Sequence, residues 1–116
     1  MNIQITSDNI QMTDSMKSLV DQKLPKLLKR IKTNTPEDLV DIRVVLNRGD
    51  AEGTFEVKID LAMGGMRVVG KDHEYTLESA IVKAMDDTIR QFEKEKSKKD
   101  GTDWEKRREL KAYKEE

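Results

Sequence analysis

The sequence contains no cysteine, which excludes both a disulfide framework and a thiolate metal site. Its one histidine, His73, lies in a polar stretch that predicts a turn, where a lone histidine is usually solvated. No apolar run approaches the roughly 18 residues that a membrane span needs. The N-terminus also lacks the basic and apolar regions of a signal peptide. These absences favour a cytoplasmic protein that has no metal or other cofactor.

Residue patterns for catalysis are missing as well. Asp86 and Asp87 are adjacent, so they point to different sides of a helix and do not form a carboxylate pair around one bond. The other aspartates lack the spacing of a calcium loop. Gly64 and Gly65 do not belong to a GxxxxGK[ST] phosphate loop. We therefore expect a protein that is not an enzyme and has no small-molecule substrate.

Charge is distributed unevenly along the 116 residues, a length that suits one domain. The totals are nearly equal, with 22 Lys and Arg against 23 Asp and Glu. Residues 14–32 carry six basic and two acidic side chains, residues 33–82 carry five and ten, and residues 83–99 carry six and four. Two basic segments therefore flank an acidic middle, and such local charge attracts polyanions even when the net charge is small.

Apolar spacing predicts the first two elements. Ile3 and Ile5 alternate with polar residues, which indicates a short strand. Thr13 is a plausible N-cap, and the apolar stripe that follows predicts one helix over about 14–31. Pro25 lies inside this stripe. Because the stripe keeps its phase across the proline, one helix is favoured over the alternative of two shorter helices.

The remainder predicts a meander and a second helix. Residues 40–46 and 55–61 alternate between apolar and polar side chains, as half-buried antiparallel strands do. A turn at 63–65 leads to a fourth strand over 66–71, and a second helix begins near Thr76. "DGTD" at 100–103 predicts a break in that helix.

The order of these elements predicts a two-layer α+β fold, β-α-β-β-β-α. Two helices would cover one face of a four-stranded sheet, as in double-stranded-RNA-binding-like folds. We expect one domain over residues 1–99 and a flexible charged tail over 100–116.

Both predicted helices carry basic residues outside their apolar stripes. The first helix presents Lys23, Lys26, Lys29 and Arg30, and the second presents Lys83, Arg90, Lys94 and, if it extends that far, Lys98. Asp87 interrupts the second set. Lysines on an exposed helix face often serve only solubility, and charge alone does not decide against that alternative. Two helices on one side of a sheet lie side by side, however, so their outer faces can form one surface for RNA phosphates. Since no aromatic residue lies among these cations, a grip on the shape of folded RNA is favoured over base stacking.

Two segments carry motifs in matching order and separation. The first is NIQITSDNIQMTDSMKSLVDQKLPKLLKRI, with an opening strand, a threonine-capped helix and a Lys-Leu-x-Lys-Leu pattern at Lys23, Leu24, Lys26 and Leu27. The second is AIVKAMDDTIRQFEKEKSKK, with Ala80–Ile81 at its start and the pair Arg90–Gln91. Over about residues 1–99 the sequence thus resembles the ribosome hibernation promoting factor family, also called ribosome-associated inhibitor or protein Y.

The resemblance implies a function and a set of site residues. Members of this family are not enzymes; they bind the small ribosomal subunit in the channel for messenger and transfer RNA. They inhibit translation in stationary phase or stress. The implied rRNA-binding residues are Lys23, Lys26, Lys29, Arg30, Lys83, Arg90, Gln91, Lys94 and Lys98.

The length also bears on the kind of member that the resemblance implies. Only 17 residues follow Lys99, so the short form, without the second, dimerising domain, is expected. The alternative function is that of a divergent paralogue, a protein-interaction module whose acidic middle binds a basic partner rather than the ribosome.

Overall fold

The computed structural model describes residues 1–31 and 36–115, with side chains as far as residue 97. Four strands form one sheet in the order β1-β2-β3-β4. They are β1 (Asn2–Thr6), β2 (Val40–Arg48), β3 (Phe55–Met63) and β4 (Met66–Glu74). β1 pairs with β2 in parallel, and the other two pairings are antiparallel. The predicted meander is therefore confirmed, and a short 3₁₀ helix at Glu37–Leu39 leads into it.

The alternation of side chains divides the sheet into a buried face and an open face. Along β2, Val40, Ile42 and Val44 are buried, while Asp41 and Arg43 between them are exposed. Ile3 and Ile5 of β1 lie opposite Ile42 and Val44, so they lie on the same side of the sheet, where Ile5 is half-buried and Ile3 remains exposed. The open face is mostly polar, as expected for a sheet that packs on one side only.

The first helix, α1 (Asp14–Arg30), forms as the sequence predicts. The hydroxyl oxygen of Thr13 accepts a hydrogen bond from the backbone N–H of Met16 at 3.2 Å, which satisfies one of the free donors at the helix start. Pro25 lies inside one continuous helix, so the alternative of two helices is wrong. The apolar stripe across the proline supplies the reason, because Leu24 and Leu27 are buried in the core on either side of it.

Two details of the second half differ from the prediction. β4 continues to Glu74 because it stays paired with β3 as far as Phe55, so His73 lies on a strand rather than in a turn. The second helix, α2 (Leu77–Glu115), runs through residues 100–103, so the predicted break is wrong. Gly101 costs only about 1 kcal/mol in a helix, and the segment contains no proline, the residue that would break the helix outright. The flexibility of the tail stays a prediction.

α2 packs very closely against β4. A Cβ atom at Gly70 would lie 2.5 Å from the backbone nitrogen of Thr88 and 2.7 Å from the carbonyl oxygen of Ala84. Thr88 is fully buried here, and its hydroxyl donates a hydrogen bond to the Ala84 carbonyl oxygen at 2.7 Å. Small residues thus allow α2 to lie directly on the sheet, which fixes the direction in which its charged side chains point.

The side chains of α1, α2 and the buried sheet face form one apolar core. Val20 and Leu27 of α1 share it with Ile81 and Phe92 of α2. Both helices therefore cover the same face of the sheet, and the predicted two-layer α+β class is confirmed. Within the described part of the chain, no helix is both long and apolar enough to cross a membrane.

Candidate nucleic-acid interface

Three of the basic residues predicted on α1 form ion pairs with acidic residues of α2. The Lys23 ammonium lies 3.2 Å from a carboxylate oxygen of Glu78, and the Lys26 ammonium lies 3.0 Å from one of Asp86. The Arg30 guanidinium lies 2.5 Å from a carboxylate oxygen of Glu93. We call these three pairs the cross-helix ladder.

The cross-helix ladder lies along the groove between α1 and α2. Its pairs follow the same order in both helices, so the two helices run in the same general direction. In two of the pairs both side chains are about half exposed, with fractions of 51 to 56%, while Lys23 is 31% and Glu78 62% exposed. Exposed pairs of this kind contribute roughly 0–1 kcal/mol each to stability. The ladder is therefore weak enough for a phosphate to take the place of a carboxylate.

Two of the predicted basic residues of α2 contact acids on the side of the helix that faces β4. Lys83 forms an ion pair with Glu74 at the end of β4, and Arg90 forms one with Asp87. The hydrogen bond from Lys83 lowers the pKa of the Glu74 carboxyl, and the same contact raises the pKa of Lys83. Lys83 and the Asp87 carboxylate thus lie toward β4, whereas the cross-helix ladder lies toward α1.

Asp87 is directed at the edge of the sheet. Its carboxylate accepts a hydrogen bond at 3.0 Å from the backbone N–H of Lys71, on the edge strand β4. Burial tends to raise the pKa of Asp87, but the hydrogen bonds from the Lys71 N–H and from Arg90, with the charge of Arg90, outweigh it and leave the pKa lowered. Asp87 therefore fastens α2 to β4 and protects part of an otherwise unpaired strand edge.

The remaining predicted residues differ in their surroundings. Lys29 and Lys94 are exposed and form no ion pair with any other described residue. Gln91 is half-buried and helps to lower the pKa of Asp87 through a hydrogen bond. The side chain of Lys98 lies outside the described part. Among the predicted binding residues with described side chains, Lys29 and Lys94 are thus the two cations that need not leave an acid to contact an anionic partner.

The open sheet face carries a second group of cations that the sequence prediction did not single out. Arg67 donates to both carboxylate oxygens of Asp60, at 3.0 and 2.5 Å, and this hydrogen bonding is the main reason why the pKa of Asp60 is lowered. Arg43 and Lys58 line the same depression, and neither forms an ion pair with a described residue. Their positions at alternate places on β2 and β3 were the signal in the sequence.

Metal coordination has no support in the described part of the chain. No group of three or more His, Asp or Glu side chains there is arranged to hold an ion.

The chain is similar to known proteins in both sequence and fold. Residues 3–100 match the family described as Sigma 54 modulation protein / S30EA ribosomal protein. No curated protein sequence matches the chain significantly.

Two solved structures share the fold. One is the N-terminal domain of Protein Y from Thermus thermophilus, with a TM-score of 0.65 and 24% identity over 81% of this chain and 98% of that one. The other is a ribosomal subunit interface protein from Coxiella burnetii, with a TM-score of 0.65 and 17% identity over 84% of this chain and 99% of that one. Since the family match includes all four strands, α1 and the part of α2 that packs on the sheet, the chain belongs to the Sigma 54 modulation protein / S30EA ribosomal protein family.

Proposed function

We propose that the protein is a ribosome hibernation factor that binds the small ribosomal subunit in the channel for messenger and transfer RNA. It would inhibit translation in stationary phase or stress. The observation that carries this proposal is the family match over residues 3–100, in a chain whose two helices carry the basic residues.

Binding would depend on charge and shape rather than on base stacking. Lys29 and Lys94 would contact phosphates directly, because they hold no acid among the described residues. Lys23, Lys26, Arg30, Lys83 and Arg90 would exchange a carboxylate for a phosphate, and Gln91 would add a hydrogen bond. Lys98, whose side chain lies outside the described part, stays a predicted phosphate contact. A protein seated in this channel would inhibit translation because it occupies the space of messenger and transfer RNA.

Sedimentation with ribosomes and with separated subunits, over a range of salt concentrations, tests the proposal. We expect the protein to sediment with the small subunit and to dissociate as salt rises, since phosphate contacts release counterions. No association even at low salt would contradict a ribosomal function and leave the protein-interaction module as the better candidate. Inhibition of translation in a cell-free system, by the same protein preparation, tests the second half of the proposal.

Charge reversal tests the surface. The double variant K26E/R90E should lose binding, because it removes two cations and adds two repulsive acids at the helices. The matched control is K17E/R48E, which makes the same change in net charge at two exposed residues outside the proposed surface. Full binding by K26E/R90E, or an equal loss in the control, would show that the surface is wrong. Circular dichroism checks that both variants remain folded.

A further inference from the structure

The surface formed by α1 and α2 is nearly neutral although it is rich in cations. Seven of the predicted basic residues have described side chains, and five of the seven contact an acid. Three of these five acids, Glu78, Asp86 and Glu93, belong to the cross-helix ladder. Unlike Asp87, none of the three accepts a hydrogen bond from a described backbone N–H. Their contacts are therefore explained by the cations that they hold rather than by attachment of a helix to the sheet.

These acids affect two kinds of anionic partner differently. A flexible single strand binds through the summed charge near it, because it cannot hold its phosphates in fixed positions away from nearby carboxylates. A folded RNA holds several phosphates at fixed points, so it can replace several ladder carboxylates at once and offset the loss of their ion pairs. An acid beside each cation thus weakens the first kind of binding more than the second, as expected of a repulsive element that gives specificity.

We propose that Glu78, Asp86 and Glu93 are specificity-determining residues, which keep α1 from binding unstructured RNA while leaving it able to bind folded ribosomal RNA. This inference rests on the proposed function. The groove between α1 and α2 selects for a rigid array of phosphates, because only such an array offsets the loss of the cross-helix ladder. The cations of α1 supply attraction, and the acids of α2 set how selective that attraction is.

The test compares the natural chain with the variant E78Q/D86N/E93Q on two partners, polyuridylate and purified small ribosomal subunits. Freeing three cations should steepen the salt dependence of polyuridylate binding by about 2 in log–log slope, since each contact with a single strand contributes about 0.7. At 0.1 M salt, affinity for polyuridylate should rise about tenfold to a hundredfold. Affinity for the small subunit should rise clearly less, so the ratio of the two affinities falls.

A matched control separates the position of the acids from the net charge. The variant D21N/E37Q/E52Q neutralises three exposed acids that take no part in the cross-helix ladder. We expect it to change polyuridylate binding much less than the ladder variant does. All six positions are exposed, so both variants should fold, and the single variants D86N and E93Q give the same comparison with a smaller change.

Three results would overturn the inference. They are unchanged polyuridylate binding by the ladder variant, an equal gain on polyuridylate and on the small subunit, and an equal gain in the control variant. Failure of the natural chain to bind the small subunit would overturn the proposed function instead. The two outcomes are distinguishable, because the proposed function is tested by the natural chain with the small subunit, whereas the inference is tested by comparing the variants with the natural chain.

Discussion

Removal of the Asp87 carboxylate should destabilise the fold rather than simply alter the charge of α2. The carboxylate is only 16% exposed, and it accepts hydrogen bonds from the Lys71 N–H at 3.0 Å and from the Arg90 guanidinium. Hydrogen bonds to a charged group contribute about 1.5–3 kcal/mol. We expect D87A to lower the free energy of unfolding by about this amount at neutral pH, because the Lys71 N–H then loses its protein partner.

The effect should depend on pH in a definite direction. The pKa of Asp87 is lowered in the folded protein from an ordinary value of 3.8. The contribution of Asp87 to the free energy of unfolding is therefore complete above that value. It is lost as the pH falls through the lower pKa of the folded state. The difference in stability between the natural protein and D87A should be constant near neutral pH and should shrink in acid.

Urea unfolding followed by circular dichroism measures both effects. A loss of about 2 kcal/mol corresponds to a midpoint lower by about 1 M urea, for slopes of about 1–3 kcal/mol per M. The matched control is D86A, at the neighbouring residue, whose side chain is 55% exposed and whose ion pair contributes roughly 0–1 kcal/mol. Equal losses in the two variants, or a D87A deficit that persists undiminished in acid, would refute the structural role of Asp87.

Two further predictions follow from close packing and from ion pairing. G70A should lower the free energy of unfolding by about 1–3 kcal/mol, because its Cβ would clash with backbone atoms of α2, and adding T88A should not restore the urea midpoint. K29Q should reduce the salt slope of ribosome binding more than K26Q does. Lys26 must first break its ion pair with Asp86 to contact a phosphate, whereas Lys29 forms no ion pair with a described residue. Equal slopes in the sedimentation assay would contradict this prediction.

The strands and helices that bury one face could be predicted because their apolar residues recur at the spacing of a strand or of a helix. Alternation along β2 and β3 predicted both strands, and the apolar stripe across Pro25 predicted one α1. β4 was predicted three residues too short because its last residues are polar. Its length is set by pairing with β3, as in the contact between His73 and Glu56, rather than by its own burial pattern.

The surroundings of the basic residues could not be predicted in the same way. A helical projection places each side chain relative to the core of its own helix, but it does not contain the neighbouring helix. Lys26 and Asp86 are 60 residues apart in the chain, and Arg30 and Glu93 are 63 apart. Only the packing of both helices on one sheet brings these residues together. The sequence showed four similar cations on α1, whereas in the structure three of them form ion pairs with α2 and Lys29 does not.

The same packing gives the acids of α2 surroundings that the sequence did not show. Asp87 lies among the basic residues in a helical projection, yet its carboxylate is held by the Lys71 N–H, so its charge is largely engaged in attaching α2 to β4. Asp86 and Glu93, which lie on the same helix, instead face the cations of α1. The ladder acids lie beside the cations of α1, whereas the Asp87 carboxylate stays hydrogen-bonded to the Lys71 N–H on β4. The strength of any RNA contact along α1 should therefore depend on the ladder acids rather than on Asp87.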